Sequence, residues 1–179
     1  MYQNKNFKSF TPRKPVKTFR DLDIYQKTLE CSVIVMKDIV PVLRSFGQEE
    51  KGKGLKKIAS TGRQHRDGDE KYLFLEGVTN CAMSVPLFIA ESHSIRFGNF
   101  TMGLSLLEKA MSDCNKMIVY LEHIKGIYGS KVDCELIDDL ISRYSESRTK
   151  SFHLELSWKK FRTATGAESP DGKIKNFKY

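Results

Sequence analysis

An all-α chain folded as an antiparallel, up-down-up-down four-helix bundle is what this sequence predicts, and three observations predict it. Apolar residues recur at steps of three and four through four long segments. No stretch reads convincingly as a strand, and short glycine-bearing breaks part the later segments. The third observation is Pro86, which lies inside the apolar run Cys81-Ala82-Met83-Ser84-Val85-Pro86-Leu87-Phe88-Ile89-Ala90-Glu91. A proline in mid-helix removes a hydrogen bond and costs about 3 kcal/mol. A helix that keeps one is expected to be buried and bent, with its neighbours packed around it.

Taken in order, residues 1–18 hold Pro12 and Pro15, show little periodicity, and read as an extended basic arm. Phe7 and Phe10 sit between its charges, a spacing that suits stacking on bases or docking on a neighbouring subunit. The first helix is expected to start near Thr18 or Arg20, with Asp21 and Asp23 in its first turn, where the helix dipole favours acids. Its predicted core stripe is Leu22, Tyr25, Leu29, Val33, Met36, Val40 and Leu43, with Pro41 bending or ending the last turn and Phe46-Gly47 closing it.

Residues 47–71 form a polar insertion containing Gly47, Gly52, Gly54, Gly62 and Gly68. Loops of that length in a compact domain are usually functional or disordered. Gly52-Lys53-Gly54 and Thr61-Gly62 lack the spacing of a phosphate loop and follow no strand, which excludes nucleotide hydrolysis there. The second helix runs from about Gly68 or Glu70 to Ile95, with Phe74, Val78, Cys81, Val85, Phe88, Ile89 and Ser92 on one face. Gly98-Asn99 breaks the pattern, and Asn99 is placed to cap the third helix. That helix carries Phe100, Leu104, Leu107, Met111, Cys114, Ile118, Leu121 and Ile124, and Gly126, Gly129 and Ser130 make the next turn. The fourth carries Leu136, Leu140, Tyr144, Ser147, Ser151, Leu154, Trp158 and Phe161, and reaches at least to about Arg162. Residues 163–179 read as a basic tail with an aromatic end, Lys173 to Tyr179. Helices of about 25 residues would be roughly 38 Å long.

At 179 residues the chain supports one domain with a real core. It has no apolar run long enough to span a membrane, and Met1 to Phe19 lacks the apolar stretch of a signal peptide, so the expected location is the cytoplasm. Cys31, Cys81, Cys114 and Cys134 form no CxxC pair and fall on different helices, as small buried thiols would. Net charge is +8, unevenly spread. Residues 1–20 hold six basic groups and no acid, and residues 148–179 hold eight basic groups and three acids. The positive charge thus lies on the two ends and the insertion, around a mildly acidic body, a layout that suits a polyanion. The candidate nucleic-acid contacts are Arg13, Lys14 and Lys17 of the arm, Lys51, Lys53, Lys56, Lys57, Arg63 and Arg66 of the insertion, and Arg148, Lys159, Lys160 and Arg162 of the last helix.

Catalytic signals are missing. A di-metal bundle needs two Glu-x-x-His motifs, and no Glu here has His three residues on. His65, His93, His123 and His153 are scattered, most beside loops or polar faces. Glu91 is the one carboxylate read as lying beside the apolar centre, and a hydrogen bond or ion pair between helices is its expected role. No enzymatic activity, metal or cofactor is expected.

Two motifs carry a resemblance. Phe19-Arg-Asp-Leu-Asp-Ile-Tyr-Gln-Lys-Thr28 is similar to the opening helix, and Ser84-Val-Pro-Leu-Phe-Ile-Ala-Glu91 to the proline-bent second helix, of a known four-helix bundle family. That family includes proteins encoded in intervening sequences of bacterial large-subunit ribosomal RNA. It also includes the accessory variability determinant (Avd) proteins of diversity-generating retroelements. Leu106-Leu-Glu-Lys-Ala110 fits its third helix, and the resemblance covers about residues 19–162. The 47–71 stretch is longer than the family's short link, and Ser92 stands where the intervening-sequence proteins usually have glycine. The Ile24-Tyr-Gln-Lys-Thr28 wording looks closer to the retroelement branch. The resemblance implies a homo-pentamer that binds nucleic acid, RNA and also DNA, in association with a reverse transcriptase. The alternative it leaves open is a structural homo-oligomeric scaffold. On either reading Trp158 and Phe161 should pack against the bundle or a neighbouring subunit, and Lys159, Lys160 and Arg162 should face outward with Arg148.

Overall fold

The computed structural model describes residues 16–45 and 67–164, with backbone alone over 67–73. Among the described residues there are four long helices and no strand. Helix α1 spans residues 23–45 and includes a π-helical turn at Val35–Ile39. Helices α2, α3 and α4 are Asp67–Ile95, Phe100–Tyr128 and Cys134–Ala164. Helix α1 packs on α2 and α4, and α3 packs on the same two.

Local chemistry sets each boundary. Asp21 Oδ2 accepts the backbone N–H groups of Thr18 (2.8 Å) and Lys17 (3.0 Å), which locks a 3-10 turn at Phe19–Asp21 ahead of α1. The Thr18 N–H hydrogen bond is the main reason the Asp21 carboxyl sits below its ordinary value. Asn99 caps α3 as expected, its Oδ1 accepting the Met102 N–H at 3.0 Å. Asp133 does the same for α4 through the Leu136 N–H at 3.0 Å, a cap the sequence reading missed. Gly126 lies inside α3 rather than in the turn. Residues 67–71 are the first turns of α2 rather than the end of the insertion.

Pro41 does not end α1. The helix continues to residue 45, and the π turn just upstream is the physical reason. The Val40 N–H reaches back to the Val35 carbonyl, five residues away. That wider turn loosens the backbone where the proline has no N–H to give and its ring crowds the preceding turn. Pro86 is buried as expected, and α2 runs unbroken through it.

The core is drawn from all four helices: Cys31 and Val35; Val78, Val85 and Ile89; Ala110, Met117 and Leu121; Ile137, Leu140 and Tyr144. Each fully buried aliphatic side chain contributes about 1.5–3 kcal/mol. The α1 stripe needs correction. Leu29 and Val33 are each 42% exposed, while Ile24, Thr28, Cys31 and Val35 are buried. Two stripes compete on this helix, and the buried one contains a threonine. Thr28 can bury because its hydroxyl donates to the Ile24 carbonyl at 2.7 Å.

Side-chain contacts join neighbouring helices along their length. Phe74 meets Tyr120 edge-on at 5.5 Å, and Ser84 donates to Asp113, so numbers fall on α3 as they rise on α2. Arg162 stacks on Phe100, and Lys125 pairs with Asp138 at 2.7 Å. Along the α1–α4 seam, Lys150 meets Asp23, Lys27 meets Glu146 and Arg143 meets Glu30.

Candidate nucleic-acid interface

These pairings gather three chain segments at one end of the molecule: the α2–α3 turn, the last turns of α4, and the 3-10 turn that precedes α1. The turn exists because α2 stops at Ile95, whose carbonyl accepts both the Gly98 N–H (3.0 Å) and the Asn99 N–H (2.8 Å). Behind it α2 and α3 nearly touch. A Cβ on Gly103 would lie 3.2 Å from Arg96 Cα and 3.3 Å from the Ser92 carbonyl, so glycine permits the approach. The outcome is a groove of about 470 Å³ lined by Arg96, Phe97, Gly98 and Phe100 on one side and Ser157, Trp158, Phe161 and Arg162 on the other.

Cations and rings alternate along it. The Arg96 guanidinium lies 4.2 Å from the centre of the Phe97 ring and 5.7 Å from that of Trp158. Arg162 lies 4.4 Å from the centre of Phe100. Each such contact is worth about 0.5–1 kcal/mol at an exposed site and more when desolvated. Arg96 also donates to the His93 carbonyl. Among the described residues it has no carboxylate partner, and partial burial holds its pKa below the ordinary value. His93, 4% exposed, packs 6.4 Å from Trp158, and burial first, then Arg96, lowers its pKa to about 4. Phe97 is 77% exposed, a large apolar surface that the described fold leaves uncovered, and Phe161 is 62% exposed. Within the single chain Trp158 is half-buried and Phe161 is exposed.

The candidate cations fall into separate groups. Arg13 and Lys14, together with Lys51, Lys53, Lys56, Lys57, Arg63 and Arg66, lie outside the described residues. Lys17 is exposed at the root of the arm. The 3-10 turn beside it packs on α2, close enough for Asp21 to act on His93. Lys160 is exposed, whereas Lys159 is drawn into an ion pair with Glu155, which is 6% exposed. Arg162 is half-buried over Phe100 rather than facing outward, and Arg148 is exposed 6.0 Å from the Phe152 ring centre. The insertion rejoins the bundle at Asp67, the end of α2 far from the groove, roughly 40 Å away along the helix.

Glu91 also departs from expectation, since it is exposed. The carboxylates against the core are Asp113, which accepts from Ser84 and pairs with Lys116 at 2.8 Å, and Glu155. Burial raises the Cys31 thiol to about 11 and Cys114 to about 12, which keeps both protonated near neutral pH. Cys134 is half-buried and donates to the Gly129 carbonyl at 3.3 Å. Among the described residues no group of three His, Cys, Asp or Glu side chains could hold a metal ion, and no helix is long and apolar enough to cross a membrane.

Sequence reasoning missed Arg96, Phe97 and Phe100 as site residues. Their signal was available in Arg96-Phe97-Gly98-Asn99-Phe100, where two large rings and a cation sit at a helix break. Protein-family profiles, curated proteins and solved structures were each compared with the chain, and none matches it.

Proposed function

We propose that this chain is a non-catalytic RNA-binding accessory protein, Avd-like, and the partner of a reverse transcriptase in a diversity-generating retroelement. One observation carries the nucleic-acid part: the groove of alternating arginines and exposed rings, at the end where the basic arm joins the bundle and beside the last described turn before the basic tail. Arginine–aromatic surfaces of this kind suit nucleic acid because phosphates and base faces are both met. The reverse-transcriptase part rests on the resemblance of the two helical motifs. The contact pairs support an up-down-up-down order, and the expected location is the cytoplasm.

The oligomer belongs to the same reading. Leu29 with Val33 on α1, and Met83 with Leu87 on α2, are exposed apolar pairs four residues apart. Such pairs suit burial against further copies of the chain, with the pentamer the number that the resemblance implies. The same pairs favour the second reading, a structural homo-oligomeric scaffold without a nucleic-acid role.

Binding to RNA over a salt series separates the two. The accessory protein should lose affinity log-linearly with salt, at a slope of about −0.7 per phosphate contact on single strands and about −0.9 on duplex. A flat salt response would leave the scaffold.

A further inference from the structure

We infer that the end groove receives an unpaired nucleobase, so that the protein selects single-stranded RNA over duplex. The inference deepens the RNA-binding reading and rests on it. A groove lined by Phe97 and Trp158 offers flat apolar faces, and Phe97 keeps 77% of its surface exposed although it stands at a helix break where a small polar residue would serve the turn. Arg96 beside it is a partly buried cation with no carboxylate among the described residues, which leaves it able to meet a phosphate. A single strand supplies both partners at once, a splayed base for the rings and its own phosphate for the guanidinium. A duplex hides its base faces in the stack and presents phosphates and edges only.

Trp158 is the only tryptophan of the chain and lines the groove, so its emission reports occupancy directly. The test uses the full chain with a labelled, unstructured RNA of about a dozen nucleotides and a blunt duplex of the same sequence. Anisotropy reads binding anywhere, and Trp158 emission reads the groove. The single strand should quench Trp158, and Phe97→Ala should weaken its binding by about five- to a hundred-fold while changing duplex binding by no more than about twofold. Because Phe97 is largely exposed, its removal leaves folding intact, which circular dichroism checks. RNA that binds by anisotropy without quenching Trp158 would overturn the inference and leave the RNA-binding reading standing. Equal losses for single strand and duplex in Phe97→Ala would do the same. No binding by anisotropy would remove both. A Phe177→Ala/Tyr179→Ala chain whose Trp158 emission shifts before RNA is added, with no quenching in the unaltered chain, would make the protein's own tail the occupant and also overturn it.

Discussion

The two halves of the buried face of α4 are built on different principles. Its first half presents Ile137, Leu140 and Tyr144, all fully buried in the common core. Its second half presents Ser147, Ser151 and Glu155, equally hidden but polar, on the stretch of α4 that leads to Trp158 and the groove. The hydroxyls of Tyr144, Ser147 and Ser151 have no hydrogen-bond partner among the described residues. The first half stabilises the bundle by apolar burial. The second gives up that stabilisation on the approach to the groove. Local stability is expected to be unequal along the helix, lowest next to the candidate site.

Substitutions can break or sharpen this contrast, and the largest effect should come from the apolar half. Leu140→Ala should destabilise by about 2–5 kcal/mol, measured as the shift in urea midpoint at constant slope. A loss under about 1 kcal/mol would erase the distinction. Next comes His93 of α2, buried beside Trp158 at the end of α4. Its folded pKa is depressed to about 4 from 6.5, so the unfolded chain takes up the extra proton between those values. Stability from this group is full above about pH 6.5 and falls as the pH drops towards 4. Between about pH 7 and pH 5 the unaltered protein should lose about 2 kcal/mol more than His93→Gln does, read from denaturant midpoints at each pH.

Smaller still is Lys159→Ala, which leaves the 6%-exposed Glu155 without its cation. Because the lysine end of the pair is half in solvent, the shift in urea midpoint should be smaller than that seen for His93, with the RNA salt slope reduced by no more than one contact. The smallest effect belongs to Ser151→Ala. It removes a buried hydroxyl that has no partner, so thermal unfolding should be unchanged or raised by a few degrees, the equivalent of about 0–1 kcal/mol. A drop comparable to that of Leu140→Ala would show the polar half to be as tightly integrated as the apolar one.

The four helices were legible because periodicity, the glycine breaks and the Asn99 cap all agree on them. The α1 face was not, because Leu29 and Val33 make a better apolar stripe than Thr28 and Ser32, and only the structure shows that Thr28 satisfies its own hydroxyl on the preceding turn. Glu91 misled for a related reason. It adjoins the apolar run in sequence, yet one step of about 100° around the helix puts it in solvent. The candidate groove was half legible. Trp158, Phe161 and Arg162 stood out by type and spacing, whereas Arg96 and Phe97 matter through a fold-dependent approach across the bundle that no spacing encodes.

The π turn at Val35–Ile39 bears on how this chain can change its length. Taking one residue out of α3 would rotate everything beyond it by about 100° and turn core positions such as Leu121 and Ile124 out of register. Taking one residue out of the π turn instead closes it to an ordinary α turn and leaves both flanks facing as they did. The remaining penalty would fall on Pro41, whose ring would then crowd a regular turn. Helix α1 thus carries a spare residue, and a one-residue deletion there is a change of length that the bundle can absorb.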